Sequence, residues 1–321
     1  MDAINQPIIP QTLMEVITFF SEPRTCVEFM ARMRWGGEGP ACPRCESKRL
    51  SFLTTRLMWK CLDCQKQFSV KVNSIFEDSP IGLDKWLCAM WLIANCKNGV
   101  SSWEISLDLH ISQKAAWFLL HRIRRAMQTG TFSKLAGEVE ADETMIGGKA
   151  RNMHPGKRNK MRQRDNFGKA IVSAVLERHG KVRATVVPNR RKKAIQEHVR
   201  EQGEAGSTVY SDELKSYDGL NEYTHEVINH AETYVNGKIH TNGMENFWSL
   251  LKRGLKGTYV SVEPFHLFRY VDEQAWRYNN RKDDDGNPLN DADRFTLLCS
   301  QVAGRRLTWN QVTGKELAVV H

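Results

Sequence analysis

Four cysteines in the pattern C-x2-C-x15-C-x2-C, at Cys42, Cys45, Cys61 and Cys64, constrain this chain more than any other feature. Cysteine pairs at this spacing make two tight knuckles that face each other, so that four thiolates surround one ion tetrahedrally. Zinc suits a closed site of soft sulfur ligands and carries no redox liability, although a rubredoxin-like iron site has similar ligands. From Cys42 to about Val72 the chain is short of aliphatic residues and rich in turn formers and β-branched residues. A small ribbon whose core is the ion is therefore expected, and a closed site with no open position is structural. Arg44, Lys48, Arg49, Arg56, Lys60 and Lys66 surround the knuckles; they suit phosphate contacts, or simply a solvated face. The other cysteines, Cys26, Cys88, Cys96 and Cys299, are scattered, which excludes a secreted disulfide framework.

A chain of 321 residues exceeds the common single-domain size, so two or three units are expected. The formal net charge of +9 favours a polyanionic partner, nucleic acid first, over a basic protein with no such partner. No apolar run is long enough to span a bilayer, and the start MDAINQPIIP is acidic and polar where a signal peptide would be basic and then apolar. A cytoplasmic location is the expectation.

Five segments follow from the texture of the sequence. Residues 1–36 form a helical cap, with Leu13, Val16, Ile17, Phe20, Val27, Phe29, Met30 and Met33 as core candidates at helical spacing. The ribbon takes 37–75. Residues 76–130 hold three helical stretches, KWLCAMWLIANC, SSWEISLDLHI and SQKAAWFLLHRIRRAM. Residues 131–282 change to strand-like runs, EVEADETMIGG, KAIVSAVLER, KVRATVVP and STVYSDE, with a helical RKKAIQEHVREQ between the last two and two helices at the end. That predicts an α/β (α+β) domain. Residues 283–321 read as a C-terminal tail.

The last two helical stretches of 76–130 have the outline of a helix-turn-helix, with a turn at His110 to Ser112. In such a motif the start of the second helix meets base edges, which would present Ser112, Gln113, Lys114 and Trp117. His121, Arg122, Arg124 and Arg125 are then placed to reach the DNA backbone. A three-helix bundle with no DNA role is the bland alternative.

Three carboxylates stand at positions suited to chemistry. Asp142 closes the strand-like run Glu138 to Asp142, before Glu143 and the turn at Ile146, Gly147 and Gly148; Asp212 follows the run Ser207 to Tyr210 and precedes a helix-like Glu213 to Leu220. Two strand-end aspartates can converge. Glu245 lies near the start of MENFWSLLKRG, with Lys252 two turns along the same face. Hard oxygen ligands of this kind hold Mg²⁺ or Mn²⁺, and two such ions about 3.5 to 4 Å apart activate a water or a 3′-hydroxyl and stabilise the leaving oxygen of a phosphodiester. Each acid alone is a weak signal, because most carboxylates simply face water.

The segments VEADETMIGGK, TVYSDELKSYDGL, HTNGMENFWSLLKRGLKGTY and PFHLFRYVDEQAWRYNNR resemble the blocks of bacterial insertion-sequence transposases that join an N-terminal zinc ribbon to a ribonuclease-H-like DDE domain of the ISXO2-like type. The resemblance spans residues 20 to 282 in block order. It implies a central mixed sheet with Asp142 on the first strand, Asp212 after the fourth and the third ligand on a later helix. It further implies one zinc per chain, two catalytic Mg²⁺ or Mn²⁺, double-stranded element-end and target DNA as partners, a homo-oligomer on DNA, and a nucleoid-associated location. Members carry Glu or Asn at the third position. Glu245 is preferred for its charge and for the spacing to Lys252, and Asn242 stays as the alternative because an amide oxygen also ligates Mg²⁺.

Three more features invite roles around this site. His230 and His240 flank it, as phosphate contacts or loop-ordering groups. Glu273, Arg277 and Arg281 recur along one helix face, as a DNA clamp or as helix decoration, so Arg277 and Arg281 join the candidate DNA contacts. The segment from Lys149 to Lys169, with eight Lys or Arg against one Asp, suits a DNA backbone. Two other functions share these motifs: a non-catalytic DNA-binding regulator, which would not need the three acids, and a ribonuclease-H-like nuclease with no joining step.

Overall fold

The computed structural model describes residues 9–128, 134–148, 155–156, 169–212, 215–228 and 241–315. His230, His240 and nearly all of the basic segment from Lys149 to Lys169 lie outside them. The chain divides into two compact units, Met1–Met127 with Lys282–His321, and Gln128–Arg281. Residues 283–321, expected as a tail, are thus part of the first unit.

The first unit opens with α1 (Leu13–Phe19), capped by the Thr12 side chain, and α2 (Pro23–Trp35), which starts on a proline that lacks the N–H a helix start would leave unpaired. Val16, Phe20, Val27, Phe29 and Met30 are buried as expected, whereas Leu13 and Ile17 are exposed, because only one stripe of the short α1 faces the core. The ribbon is an antiparallel sheet of β1 (Leu50–Leu53), β2 (Met58–Cys61) and β3 (Gln67–Phe68). Next come α3 (Leu83–Asn95), α4 (Ser102–Asp108) and α5 (Gln113–Met127). Helix α3 buries residues nearly all round and forms the centre of the unit. Ser101 and Glu104 make a reciprocal capping box on α4, His110 turns the chain with φ +48, and the Ser112 hydroxyl accepts the amide of Ala115 to start α5. That is the helix, turn and helix expected from the sequence. The C-terminal residues return to this unit because Phe295 stacks on Phe29 and tilts against Phe20 and Trp91, with ring centroids 5.9, 6.0 and 5.3 Å away.

The second unit is a five-stranded mixed sheet in the order β6-β5-β4-β7-β8. Its elements run β4 (Glu138–Ile146), β5 (Ala170–Glu177), β6 (Val182–Val187), α6 (Lys192–Gln202), β7 (Thr208–Asp212), β8 (Thr224–Ile228), α7 (Asn242–Gly257) and α8 (Leu267–Asn279). Strands β4, β5 and β6 pair antiparallel, and β7 and β8 lie parallel to β4. This is the ribonuclease-H-like arrangement that the resemblance implied.

Period-two alternation assigns the two faces of this sheet. Val172, Ala174 and Leu176 pack under α7 and α8 with Met244, Phe247, Trp248, Leu251, Val271 and Tyr278. Val139, Ala141, Ile171 and Val175 point the other way, to Ile195 and Val199 of α6 and to Tyr217. Three local details depart from the expectation. Strand β4 runs on past Asp142 to Ile146, because Thr144, Met145 and Ile146 continue the ladder with Val172, Ile171 and Ala170. A 3-10 turn, Lys215–Tyr217, stands within the stretch expected as a helix after Asp212. Strand β8 was not anticipated: THEVI has no alternating apolar stripe, and Val227 is exposed.

Candidate active site and metal centre

Strands β4 and β7 run in step, Glu138 with Thr208, Val139 with Val209 and Glu140 with Tyr210. Two residues beyond the last paired position, Asp142 on β4 and Asp212 on β7 lie near enough for the Asp212 charge to act on Asp142. Asp142 pairs with Ala174 across β5, which puts it on the face covered by α7 and α8.

Helix α7 is fixed to that face by two contacts. The Trp248 indole N–H donates to Asp142 Oδ2 at 2.7 Å, while the Glu143 amide donates to Asp142 Oδ1 at 2.7 Å. At the start of the helix the Met244 amide donates to Glu140 Oε2 at 2.8 Å. That amide is one of the N–H groups a helix leaves unpaired in its first turn, and Thr241 supplies no side-chain cap. Gly243 is required here by close approach: a Cβ would lie 2.6 Å from Leu176 Cδ2 and 3.0 Å from Glu140 Oε2. The other oxygen of Glu140 faces Arg178 Nε at 3.4 Å.

Burial pushes the Asp142 carboxyl up to about 6, with the charges of Glu143 and Asp212 adding to the shift and the two N–H donors opposing it. Tyr217 is likewise raised well above its ordinary value by burial, then by the charges of Glu143, Asp142 and Asp212. Three acids, two in the middle of β4 and one at the end of β7, therefore act on one another. Glu143 is held by Arg190 Nε and the Tyr217 hydroxyl, both at 2.9 Å, on the sheet face opposite Asp142. Asp142 and Asp212 remain as a half-buried acidic pair for which a hard divalent cation is a fitting partner. Glu245 and Asn242 are exposed in the first turn of α7, and Lys252 is half-buried on it. Asp142, Asp212 and Glu245 do not form a set with donor atoms within 4.8 Å of one another; among the described residues only the four ribbon cysteines do.

Those cysteines are arranged for one zinc. Cys42 and Cys64 sulfurs are 3.6 Å apart, as are those of Cys45 and Cys61. The residue after each pair, Glu46 and Gln65, has a left-handed φ of +58 and +60, so the two knuckles repeat one conformation. Main-chain N–H groups of Cys64 and Asp63 help draw the Cys61 thiol down to about 7, toward the thiolate a metal needs. Trp35, Trp59 and Phe68 pack around the site.

The candidate DNA contacts separate by burial. Lys114 and Arg125 are exposed on α5, and Gln113 is half-buried with its amide donating to Ser102 Oγ at 2.9 Å. Arg122 is not a surface group: it is 3% exposed, donates to the Glu77 carbonyl and lies 5.3 Å from the Trp86 and Phe118 rings. His121 and Arg124 are buried too. Arg277 is buried in an ion pair with Glu273, which also accepts the Tyr259 hydroxyl; this face of α8 is packing, not a DNA clamp. Arg281 is exposed, over the Tyr278 ring at 3.7 Å. The sequence reading passed over Glu140, Gly243 and Trp248. The Asn-Gly-Met start of a strongly amphipathic helix was the available signal for Gly243, but nothing local marks Glu140 as a helix cap.

Residues 134–279 match the ISXO2-like transposase domain, and residues 22–67 match the transposase zinc-ribbon domain. The chain is 28% identical over 260 residues to an uncharacterized protein in transposable element ISH50 of Halobacterium salinarum, covering 76% of this chain and 86% of that protein. It is 35% identical over 102 residues to an uncharacterized transposase-like protein of Haemophilus influenzae, covering 31% of this chain and 82% of that protein. No helix among the described residues is long and apolar enough to cross a membrane. With a four-cysteine ribbon ahead of a ribonuclease-H-like sheet that sets two aspartates side by side, this chain belongs to the insertion-sequence transposases with a zinc ribbon and an ISXO2-like DDE domain.

Proposed function

We propose that this transposase binds the ends of its element, cleaves the DNA there and joins the freed 3′-hydroxyl to target DNA, with Asp142, Asp212 and Glu245 as ligands for two Mg²⁺ or Mn²⁺. The observation that carries this reading is that Asp142 and Asp212 stand on adjacent parallel strands, near enough for the Asp212 charge to act on Asp142, with Asp142 tied to α7 by Trp248. Bound ions would activate the attacking hydroxyl and stabilise the leaving oxygen. The chain's own part is positioning. Trp248 and the Glu143 amide each donate to one oxygen of Asp142, which fixes the plane of that carboxylate. Glu140 anchors the start of α7.

Helical spacing supports Glu245 as the third ligand. It stands three residues before Trp248, and Lys252 four residues after, so the three share the helix stripe from which Trp248 reaches Asp142. Lys252 is then placed for a substrate phosphate. Asn242, one turn earlier, is the alternative ligand. The α4–α5 pair reads element ends through Gln113 and Lys114, with Arg125, Arg281 and the ribbon cations as further phosphate contacts; a homo-oligomer assembles on the DNA of the nucleoid.

The test is incubation of the full chain and Mg²⁺ with a duplex carrying the inverted repeats that flank its coding frame, plus a target plasmid. Cleavage at the repeat ends with joined products supports the proposal. Cleavage with no joined product supports a nuclease, and binding alone supports a regulator.

A further inference from the structure

Helix α5 is held at both ends by residues from the far end of the chain. At its C-terminal end the Arg305 guanidinium donates to the main-chain carbonyls of Arg125 and Ala126, at 3.2 and 3.1 Å. These belong to the last turn, whose carbonyls have no partner within the helix and whose dipole favours a cation. Nearer its start, Trp309 meets Trp117 and Phe118 edge to face, with centroids 5.8 and 5.3 Å apart. The Lys114 ammonium lies 4.6 Å from the centroid of the Trp309 ring.

The segment that supplies these contacts is itself well fixed. Val302 and Gly304 exchange main-chain hydrogen bonds with Ile75 and Asn73, at 3.1 and 2.8 Å. Thr308 and Gln311 close a capping box on the one-turn helix Trp309–Val312, and Leu307 and Val312 are buried. Residues 302–312 thus run along α5 as a splint and place an aromatic ring under one exposed lysine of its first turn.

A lysine ammonium on a four-carbon stem is otherwise free to sample many rotamers, and ordering such a side chain on binding costs affinity. A ring that attracts the cation narrows that choice before DNA arrives. We propose that Trp309 is a specificity-determining positioning residue of this transposase: it holds Lys114 in the geometry that reads element-end DNA, so the DNA-reading unit includes the C-terminal segment. The proposal rests on the helix-turn-helix reading of α4 and α5. Gln113, the neighbouring candidate, is restrained differently, by its hydrogen bond to Ser102 of α4. The two side chains that open α5 are therefore preset by different neighbours.

A double-mutant cycle tests this, with the full chain, the flanking inverted-repeat duplex and a scrambled duplex of equal length and composition. Trp309→Leu keeps an apolar side chain against Phe118 without the ring, and Trp309→Phe keeps the ring. Trp309→Leu should weaken repeat binding about two- to fivefold, the span of an exposed cation–π contact, and leave scrambled-duplex binding unchanged. Trp309→Phe should retain most of the wild-type selectivity. In a Lys114→Ala background Trp309→Leu should have no further effect. An undiminished Trp309→Leu loss in that background overturns the proposal, as does equal weakening on both duplexes. If Lys114→Ala itself leaves repeat binding intact, the helix-turn-helix reading fails and the proposal with it. Unchanged zinc content and unfolding midpoint in each variant establish that the unit is folded.

Discussion

The indole N–H of Trp248 donates to the Oδ2 of Asp142 at 2.7 Å, joining helix α7 to the central strand of the sheet. A donor to a carboxylate favours its charged form, and Asp142 needs that help because burial pushes its carboxyl up to about 6. Metal-dependent cleavage should rise with pH as Asp142 loses its proton, and this limb should move to lower pH as Mg²⁺ is raised, because the ion competes with the proton. Trp248→Phe removes the donor and raises the pKa further, so the acid limb should move up by about one to two pH units, with cleavage down about tenfold or more on the acid side of that limb, given 1.5–3 kcal/mol for a hydrogen bond to a charged group. An unshifted limb in Trp248→Phe would contradict this role.

Gly243 permits the contact between α7 and the sheet. Adding a methyl in Gly243→Ala drives Cβ into Leu176 and Glu140, and overpacking of this kind costs about 1–3 kcal/mol. Urea unfolding of the second unit should show that loss. A variant as stable as the wild type would mean that α7 has room to shift.

Much of this architecture was legible from spacing alone. The ribbon cysteines, the α4–α5 turn and the position of Asp212 at its strand end follow from short-range pattern, whereas Asp142, expected at a strand end, stands in the middle of β4. What was not legible depends on packing between distant segments. Arg122 and Arg277 look like surface cations in helical sequence, yet tertiary contacts bury both, one against the Glu77 carbonyl and one against Glu273. The capping of α7 by Glu140 links residues about a hundred positions apart, and no local signal encodes it. The return of Phe295 to the Phe20 and Phe29 cluster is equally invisible in a segment that reads as a C-terminal tail.

His198 gives the second unit a pH-dependent stability. It is buried beside the Ser173 hydroxyl at 2.9 Å, and burial pushes its pKa down to about 4. The unfolded chain, with a histidine near 6.5, takes up the proton first as pH falls. The stabilisation is thus fully present above about pH 6.5 and lost between there and pH 4, by about 3 kcal/mol in all. Hydrogen exchange of β5 and α6 at pH 7.5 and pH 5 should show this loss, and His198→Gln should flatten it. Equal slopes in the two proteins would exclude His198 as the source.

Metal analysis of the purified chain should give one zinc. Cys61→Ser should lower zinc content and destabilise the first unit while leaving the second unit's unfolding unchanged, because the ion is the ribbon's core. Full zinc retention in that variant would remove Cys61 from the ligand set.

The third ligand is decided by a pair of substitutions. Glu245→Gln should abolish cleavage and Asn242→Ala should retain it, measured on the inverted-repeat duplex with Mg²⁺. The reverse outcome would give the position to Asn242.

The most direct measurement of the central claim is repeat-end cleavage by Asp142→Ala and Asp212→Ala beside the wild type, with repeat binding measured on the same preparations. Removing either carboxylate leaves a divalent ion without a ligand on the strand pair. Both variants should bind the repeats with wild-type affinity and give no detectable cleavage, and excess chelator should silence the wild type equally. Normal cleavage by Asp142→Ala, or by the wild type in chelator, would contradict the account.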